Sequence, residues 1–235
     1  MLTEITTKNP VMKVPFGKLT IMYSGDGMSN LRVANIKTHE FHMDREDILK
    51  NFLMLSDEKR KRACMLTTAI IGGMSALSFD ENTKKFNDGV PATINSLSSG
   101  VAQCLGVCTI LDNSELFSEK DKETGIYQIY HPEANLHPSS QSALGKMLVD
   151  LACSKTNKTQ IIIDTWSDHI INGIRVALLE KDKNSNEKHY GDIVINFFKN
   201  KTVTSILIGN KSALSYYPDG FMDQWSKDIS ALLRF

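Results

Sequence analysis

An α/β fold with a mostly parallel sheet flanked by helices is the expectation, and three observations carry it. Runs rich in β-branched or aromatic residues recur along the chain as candidate strands, at Leu19–Met22, Gln128–Tyr130 with its flanks, Gln160–Ile163, Asp192–Phe198 and Thr202–Ile208. Between them lie stretches with apolar residues at i, i+3 and i+4, the spacing that gives a helix one buried face. The first strand also runs directly into a glycine-rich turn and a helix-compatible segment. Strands that alternate with helices in this way build parallel sheets, because each crossover helix covers a sheet face.

Taken in order, Leu19-Thr-Ile-Met-Tyr-Ser-Gly-Asp-Gly-Met-Ser-Asn-Leu31 has the layout of a phosphate-binding loop. Aligned on Gly27, Ser29 and Asn30, it places Met28 where such a loop has lysine and Met22 where it has its first glycine. A thioether supplies no cation to a phosphate. Gly25 and Gly27 can still turn backbone amides inward, and Ser29 can still offer a hydroxyl. Asp44–Leu77 reads as mainly helical, with Asp44 and Glu46 near its start and Gly72-Gly73 as a break. Ser98, Ser99 and Gly100 stand before the amphipathic helix Ser99–Asp112, where bare amides at a positive helix end suit an anion. Ser139–Ala152 and Ser167–Leu179 are the remaining long helices, the first with Ser139 and Ser140 as candidate caps. Loops are expected at Asp80–Pro91, Asn113–Gly125 and Glu180–Gly191, where Lys, Asp, Asn and Ser accumulate. The chain closes on a short helix-like run from Ser226 to Leu233, and no internal repeat is evident.

Four motifs in this order resemble the SMC-like and RecF-like branch of the ABC-type ATPases. These are the loop just described, the signature-like Leu97-Ser-Ser-Gly-Val-Ala-Gln-Cys-Leu105, Ile126-Tyr-Gln-Ile-Tyr-His-Pro-Glu-Ala-Asn-Leu-His-Pro138, and Asp164-Thr-Trp-Ser-Asp-His-Ile-Ile-Asn-Gly-Ile-Arg175. The ending Tyr217-Pro-Asp-Gly-Phe-Met-Asp-Gln-Trp225 is similar to that of a bacterial subfamily with a C-terminal domain of unknown function, often found in anti-phage and plasmid-defence operons. The resemblance spans about Val14 to Leu233. It implies an ABC-type, P-loop-like sheet with a reduced helical arm, since only about 70 residues separate the glycine-rich turn from the signature. As a division of one domain, 1–40 and 126–210 would form the sheet core, 41–125 the helical lobe with the signature, and 211–235 the family-specific C-terminal segment.

The resemblance also implies roles that this chain fills with other chemistry. The family's acidic pair, one carboxylate for Mg²⁺ and one for the attacking water, maps to Tyr130 and His131. Its γ-phosphate-sensing histidine maps to Trp166, which has an indole donor but no proton acceptor near neutral pH. Asn135 replaces the first histidine of the Pro-Glu-Ala-His-Leu-His-Pro continuation, while Glu133 and His137 match it; Glu133 is expected to have a structural role at the head of the following helix. Gly25, Gly27, Ser29 and Asn30 are the residual phosphate loop, and Ser98, Ser99, Gly100 and Gln103 the signature-like set. Ser99, Gly100, Asn135, His137 and Trp166 are the expected partner-facing residues, because in ABC-type pairs these segments face the other subunit. His169 is expected to be packed or hydrogen-bonded on its helix.

Composition narrows the setting. Lysine and arginine number 27, aspartate and glutamate 27, so the formal net charge is zero and no dominant nucleic-acid face is indicated. Glu58-Lys-Arg-Lys-Arg62 reads as a solvated helix face. Neither a membrane span nor a basic-then-apolar leader is visible, so a cytoplasmic protein is expected. Cys64, Cys104, Cys108 and Cys153 read as free thiols of a reducing compartment, and no histidine spacing marks a zinc site. The functional expectation is a pseudo-ATPase subunit acting through association, as a homodimer or with an intact ATPase partner, and reaching nucleic acid only through such a complex. No catalytic residue, metal or cofactor is expected, ATP with Mg²⁺ being the only candidate ligand. The alternative is a weakly active or partner-completed ATPase whose signature completes a site in trans.

Overall fold

The computed structural model describes residues 4–7, 13–24, 33–34, 38–41, 44–73, 76–111, 126–154, 160–184 and 189–234. Its centre is a six-stranded sheet. Strands β3 (Leu19–Ser24), β5 (Thr38–Phe41), β9 (Ile126–Tyr130), β10 (Gln160–Thr165), β11 (Ile193–Lys199) and β12 (Thr202–Leu207) are arranged in the order β12-β11-β3-β10-β9-β5. Every neighbouring pair is parallel except β11 with β12, which are joined by a tight turn and run antiparallel. β10 is central, and all six of its residues are buried. That is the consequence of covering both faces of a parallel sheet: the strand reads as a continuous apolar run, Ile161-Ile-Ile163, and not as an alternation.

Helices cover the faces. α1 (Arg45–Leu53) starts at Asp44, whose carboxylate accepts from the Glu46 amide at 2.7 Å. α2 (Asp57–Ile71) stops at Gly72, where φ turns to +64° and Gly73 follows at +65°, values that glycine adopts without a Cβ penalty. The stretch 44–77 is therefore two helices with a turn between them. Arg60 spans that turn: its guanidinium bonds Glu81 at 2.7 Å and the Leu53 carbonyl at 3.2 Å, and it also reaches Asp57 and the Leu55 carbonyl. The rest of the basic run from Lys59 to Arg62 stays at or near the surface. α3 (Ser99–Leu111) is buried from Val101 to Ile110. α4 (Pro138–Ala152) and α5 (Asp168–Asn184) follow β9 and β10, and α6 (Gln224–Leu232) closes the chain.

Two small sheets complete the architecture. β1 (Glu4–Thr7), β2 (Lys13–Pro15) and β4 (Val33–Ala34) pair antiparallel in the order β2-β1-β4. β6 (Ser78–Asp80), β7 (Lys85–Asn87) and β8 (Pro91–Ala92) form a three-stranded meander, which corrects the expected loop at Asp80–Pro91. Its polar composition hid the strands, because each contributes a single inward residue, Phe79, Phe86 or Ala92. Those rings lie 4.9 Å apart and each sits 5.1 Å from Phe52 of α1. One buried cluster runs from these aromatics through Leu105 of α3 to Ile21, Ile163 and Ile195 of the sheet. The expected loop at Asn113–Gly125 lies outside the described residues, whereas that at Glu180–Gly191 is helical as far as Asn184.

α4 and α5 approach at glycines. A Cβ on Gly145 would stand 2.3 Å from the Ile170 carbonyl oxygen, and one on Gly173 would stand 2.1 Å from that of Ser142. Neither partner atom is a flexible side-chain end, so the helices would have to separate. Gly173→Ala should therefore destabilise the fold by about 1–3 kcal/mol, the usual cost of overpacking, lowering the melting temperature by roughly 2–4 °C per kcal/mol. A scan in which Gly173→Ala melts with the wild type would show that the crossing is looser than drawn.

Candidate functional site

The C-terminal ends of β9 and β10 bring two loops together. In register, Asp164 lies opposite Tyr130 on one side and Met22 on the other, so the end of the sheet here is Met22, Asp164, Tyr130. Asp164 is fully buried. The chain then leaves β9 through His131 in the left-handed region (φ +47°), where its amide donates to the Asp164 carbonyl at 2.8 Å. Pro132 to Asn135 form a turn closed by bonds from the Ala134 amide to the His131 carbonyl and from the Leu136 amide to the Glu133 carbonyl, each 3.0 Å. Asn135 has φ +61°, a conformation that Asn tolerates better than most residues.

His137, rather than either serine, caps α4: its Nδ1 accepts from the Ser139 amide at 3.3 Å, and Pro138 takes the first helical position, where its missing N–H costs nothing. Ser139 turns its hydroxyl to that same ring, and Ser140 donates to the Ile71 carbonyl at 3.2 Å. The expected serine caps are thus corrected by the preference of the turn for an extended residue before proline. Glu133 does not head the helix either. Its Oε1 accepts from the Trp166 amide at 2.9 Å, tying the β9 loop to the β10 loop. A second tie runs from the Ser167 hydroxyl to Gln141 Oε1 at 2.6 Å, while the same Ser167 oxygen accepts from the Ile170 amide as the cap of α5. His169 is exposed on α5, which rules out the packed one of the two positions expected for it, packed or hydrogen-bonded. Asp168 accepts from the Tyr23 hydroxyl at 2.7 Å; burial and this acidic neighbour hold the phenol far above its ordinary pKa.

The paired loops set His131 against Trp166. Their ring centroids are 4.6 Å apart at 60°, and the indole remains 49% exposed. Glu133 Oε1 lies 4.0 Å from His131 Nδ1. That carboxylate, followed by the Coulombic pull of Asp164, raises the imidazole pKa above its usual value against the opposing effect of partial burial. The arrangement can therefore hold a proton on His131, with the indole face beside the resulting cation. It does not fit Mg²⁺ in the usual way: the last residue of β9 and the one after it present a phenol and an imidazole, and one oxygen of Glu133 already serves the Trp166 amide.

The signature-like segment lies next to this group. Ser98 caps α3 through the Val101 amide at 3.3 Å, and Ser98 and Ser99 are exposed. Gly100 lies against the chain's own β9 loop, where an added Cβ would stand 2.6 Å from the Asn135 carbonyl oxygen. Gln103 is buried and donates to the His131 carbonyl at 3.1 Å. The fold thus joins His131, Trp166, Glu133 and Gln103 in one group, with Ser98, Ser99, Gly100, Asn135 and His137 beside it. Gly25, Gly27, Met28, Ser29 and Asn30 lie outside the described residues. Sequence reasoning missed the Gln141–Ser167 tie and the buried Asp164 beside Tyr130; the serine two residues after Thr165, ahead of an apolar helix, was the available signal for the first.

Such a parallel sheet, with its loops gathered at the C-terminal strand ends, defines a nucleotide-binding α/β class. The family is shown by sequence: the model of the AAA ATPase domain matches residues 20–171, roughly two thirds of the chain, and the protein belongs to that family. No curated protein matches the sequence. Among solved structures, an SMC head bound to the C-terminal winged-helix domain of ScpA superposes with a TM-score of 0.50 at 9% identity, covering 88% of this chain and 97% of that one. The SMC head domain from Thermotoga maritima gives 0.49 at 9%, covering 88% and 99%, and the dimeric bacterial ABC transporter cassette MJ0796 gives 0.45 at 13%, covering 86% and 94%. At these identities the likeness is one of fold. No helix among the described residues is long and apolar enough to cross a membrane.

The site makes a pH-dependent prediction. His131 has a folded-state pKa above its ordinary value of about 6.5, so the stability it contributes is complete below that pH and is lost as pH rises through the raised value. Glu133→Gln should bring the imidazole titration, followed by proton NMR, back down toward that ordinary value. If the substitution leaves the titration unmoved, Glu133 is not its cause.

Proposed function

We propose that this AAA ATPase domain has lost ATP hydrolysis and acts by associating with another protein, either a second copy or an intact ATPase partner. The observation that carries the reading is the end of β9. Tyr130 and His131 stand where the family resemblance implies carboxylates for metal and water, and the His131 ring is covered by Trp166. Met28 in place of the loop lysine and Trp166 in place of the sensing histidine point the same way. Phosphoryl transfer relies on such groups as one cooperating unit, so losing several together leaves little turnover.

Association is supported by what stays exposed. Ser98 and Ser99 open a helix N-terminus to solvent, Asn135 and His137 lie beside it, and half of the Trp166 ring is bare. The SMC head noted above is itself bound to a partner domain, which at fold level favours the same kind of use here. A bacterial defence complex in the cytoplasm is the setting that the C-terminal ending suggests. A second reading, of a weak or partner-completed ATPase, draws on the same open α3 start and on Asp164, a carboxylate one strand away from the Tyr130 position.

Phosphate release decides between them. The isolated chain should release none above a buffer control, and Met28→Lys alone should not restore it; turnover of about 1 per second or more would sink the proposal. For association, Ser99→Arg is the informative change, because Gly100→Arg would also push on the chain's own Asn135 carbonyl. In sedimentation, wild type should form a dimer or a complex with the neighbouring ATPase, and Ser99→Arg should weaken it. A chain that stays monomeric in every mixture removes the idea.

A further inference from the structure

The edge of the sheet opposite the candidate site holds a second group of chemistry-bearing side chains. Cys153 caps the end of α4, His189 precedes the 3-10 turn Tyr190–Asp192, and Asp192 leads directly into β11. One ligand atom from each lies within 4.8 Å of the other two, the closest such grouping of three His, Cys, Asp or Glu residues among those described. His189 Nδ1 stands 3.2 Å from Asp192 Oδ2. Two ligands about 2.0–2.1 Å from one tetrahedral zinc ion would be about 3.3 Å apart, so the imidazole and carboxylate are already spaced as ligands of one ion.

The three side chains sit at a partly shielded position. The side chains of His189 and Asp192 are 16% and 28% exposed, which leaves a limited opening to solvent, and Cys153 is partly buried. Lys18, the residue before β3, reaches Asp192 Oδ2 at 3.0 Å, at the head of the Ile193–Leu19 pair, and is the cation that a metal must displace from that oxygen. From these positions we propose that Cys153, His189 and Asp192 bind one zinc ion, with water as the fourth ligand. The site is distinct from the nucleotide edge and independent of the reading above.

The donor set selects the metal class. A thiolate and an imidazole suit a borderline ion such as Zn²⁺, whereas Mg²⁺ and Ca²⁺ require oxygen shells. On binding, the Cys153 thiol gives its proton to solvent, and Lys18 yields Asp192 Oδ2 to the metal. Thiolate and carboxylate then supply two negative charges against the ion's two positive ones. The ion would clip the end of α4 to the turn before β11, joining segments that are about 36–39 residues apart in sequence, a structural role of the kind that zinc plays in closing loops.

The alternative is a plain charge cluster in which Lys18, Asp192 and His189 satisfy one another with no metal. Titrating the full, chelator-stripped chain with Co²⁺ and Zn²⁺ separates the two. Co²⁺ should bind at one ion per chain with a thiolate-to-cobalt charge-transfer band, and Zn²⁺ should displace it and raise the melting temperature. Cys153→Ser should abolish the band, and His189→Ala should weaken zinc by at least about 10-fold. Lys18→Gln, which removes the competing cation, should tighten it. Absence of saturable binding, a cobalt spectrum without thiolate character, or affinity unchanged in Cys153→Ser and His189→Ala overturns the site.

Discussion

The backbone-to-backbone approach of α4 and α5 at Gly145 and Gly173 is the constraint on which the candidate site depends. Each helix begins at a loop of the site, α4 from the His131–His137 turn and α5 from Trp166. Because the helices meet backbone to backbone at these two glycines, their separation there is fixed. The Ser167–Gln141 bond and the Glu133–Trp166 bond then span the gap that the helices leave.

Within that frame, Glu133 has two demands on one carboxylate. It accepts from a backbone amide, which fixes the path of the β10 loop, and it faces an imidazole whose protonated form it favours. The buried Asp164 raises the same imidazole's pKa further through its Coulombic pull. A His131 imidazole whose protonated form is favoured, packed against an indole, gives this loop pair a group that can hold positive charge. Its position at the C-terminal edge of a parallel sheet is nevertheless where relatives of this fold place nucleotide.

The helical region between β5 and β9 is tied to the sheet through α3. Its buried face runs from Val101 to Ile110 and meets the Phe52, Phe79 and Phe86 group on one side and the sheet on the other. Arg60 fastens α2 to the meander and to the turn after α1, so the exposed basic run contributes one structural clamp. The start of α3 is consequently held against the β9 loop, with Gly100 under Asn135 and Gln103 on the His131 carbonyl.

β-branched and aromatic runs marked five strands of the main sheet and apolar periodicity the long helices, because burial on two faces of a strand or one face of a helix leaves a direct imprint on the order of apolar residues. The two motif positions His131 and Trp166 come together in the fold, whereas Met28 lies outside the described residues. What sequence could not contain were contacts between distant segments. The β6–β8 meander has too few apolar residues to show a period, and β5 is a short edge strand. The His137 cap, the use of Glu133 as a tie to Trp166, and the burial of Gly100 against Asn135 depend on loop paths that are set by helix packing. The same holds for Cys153, His189 and Asp192: their spacing in the chain matches no metal signature, and only the folding of α4 back along the sheet brings a thiol to within reach of an imidazole and a carboxylate more than thirty residues away.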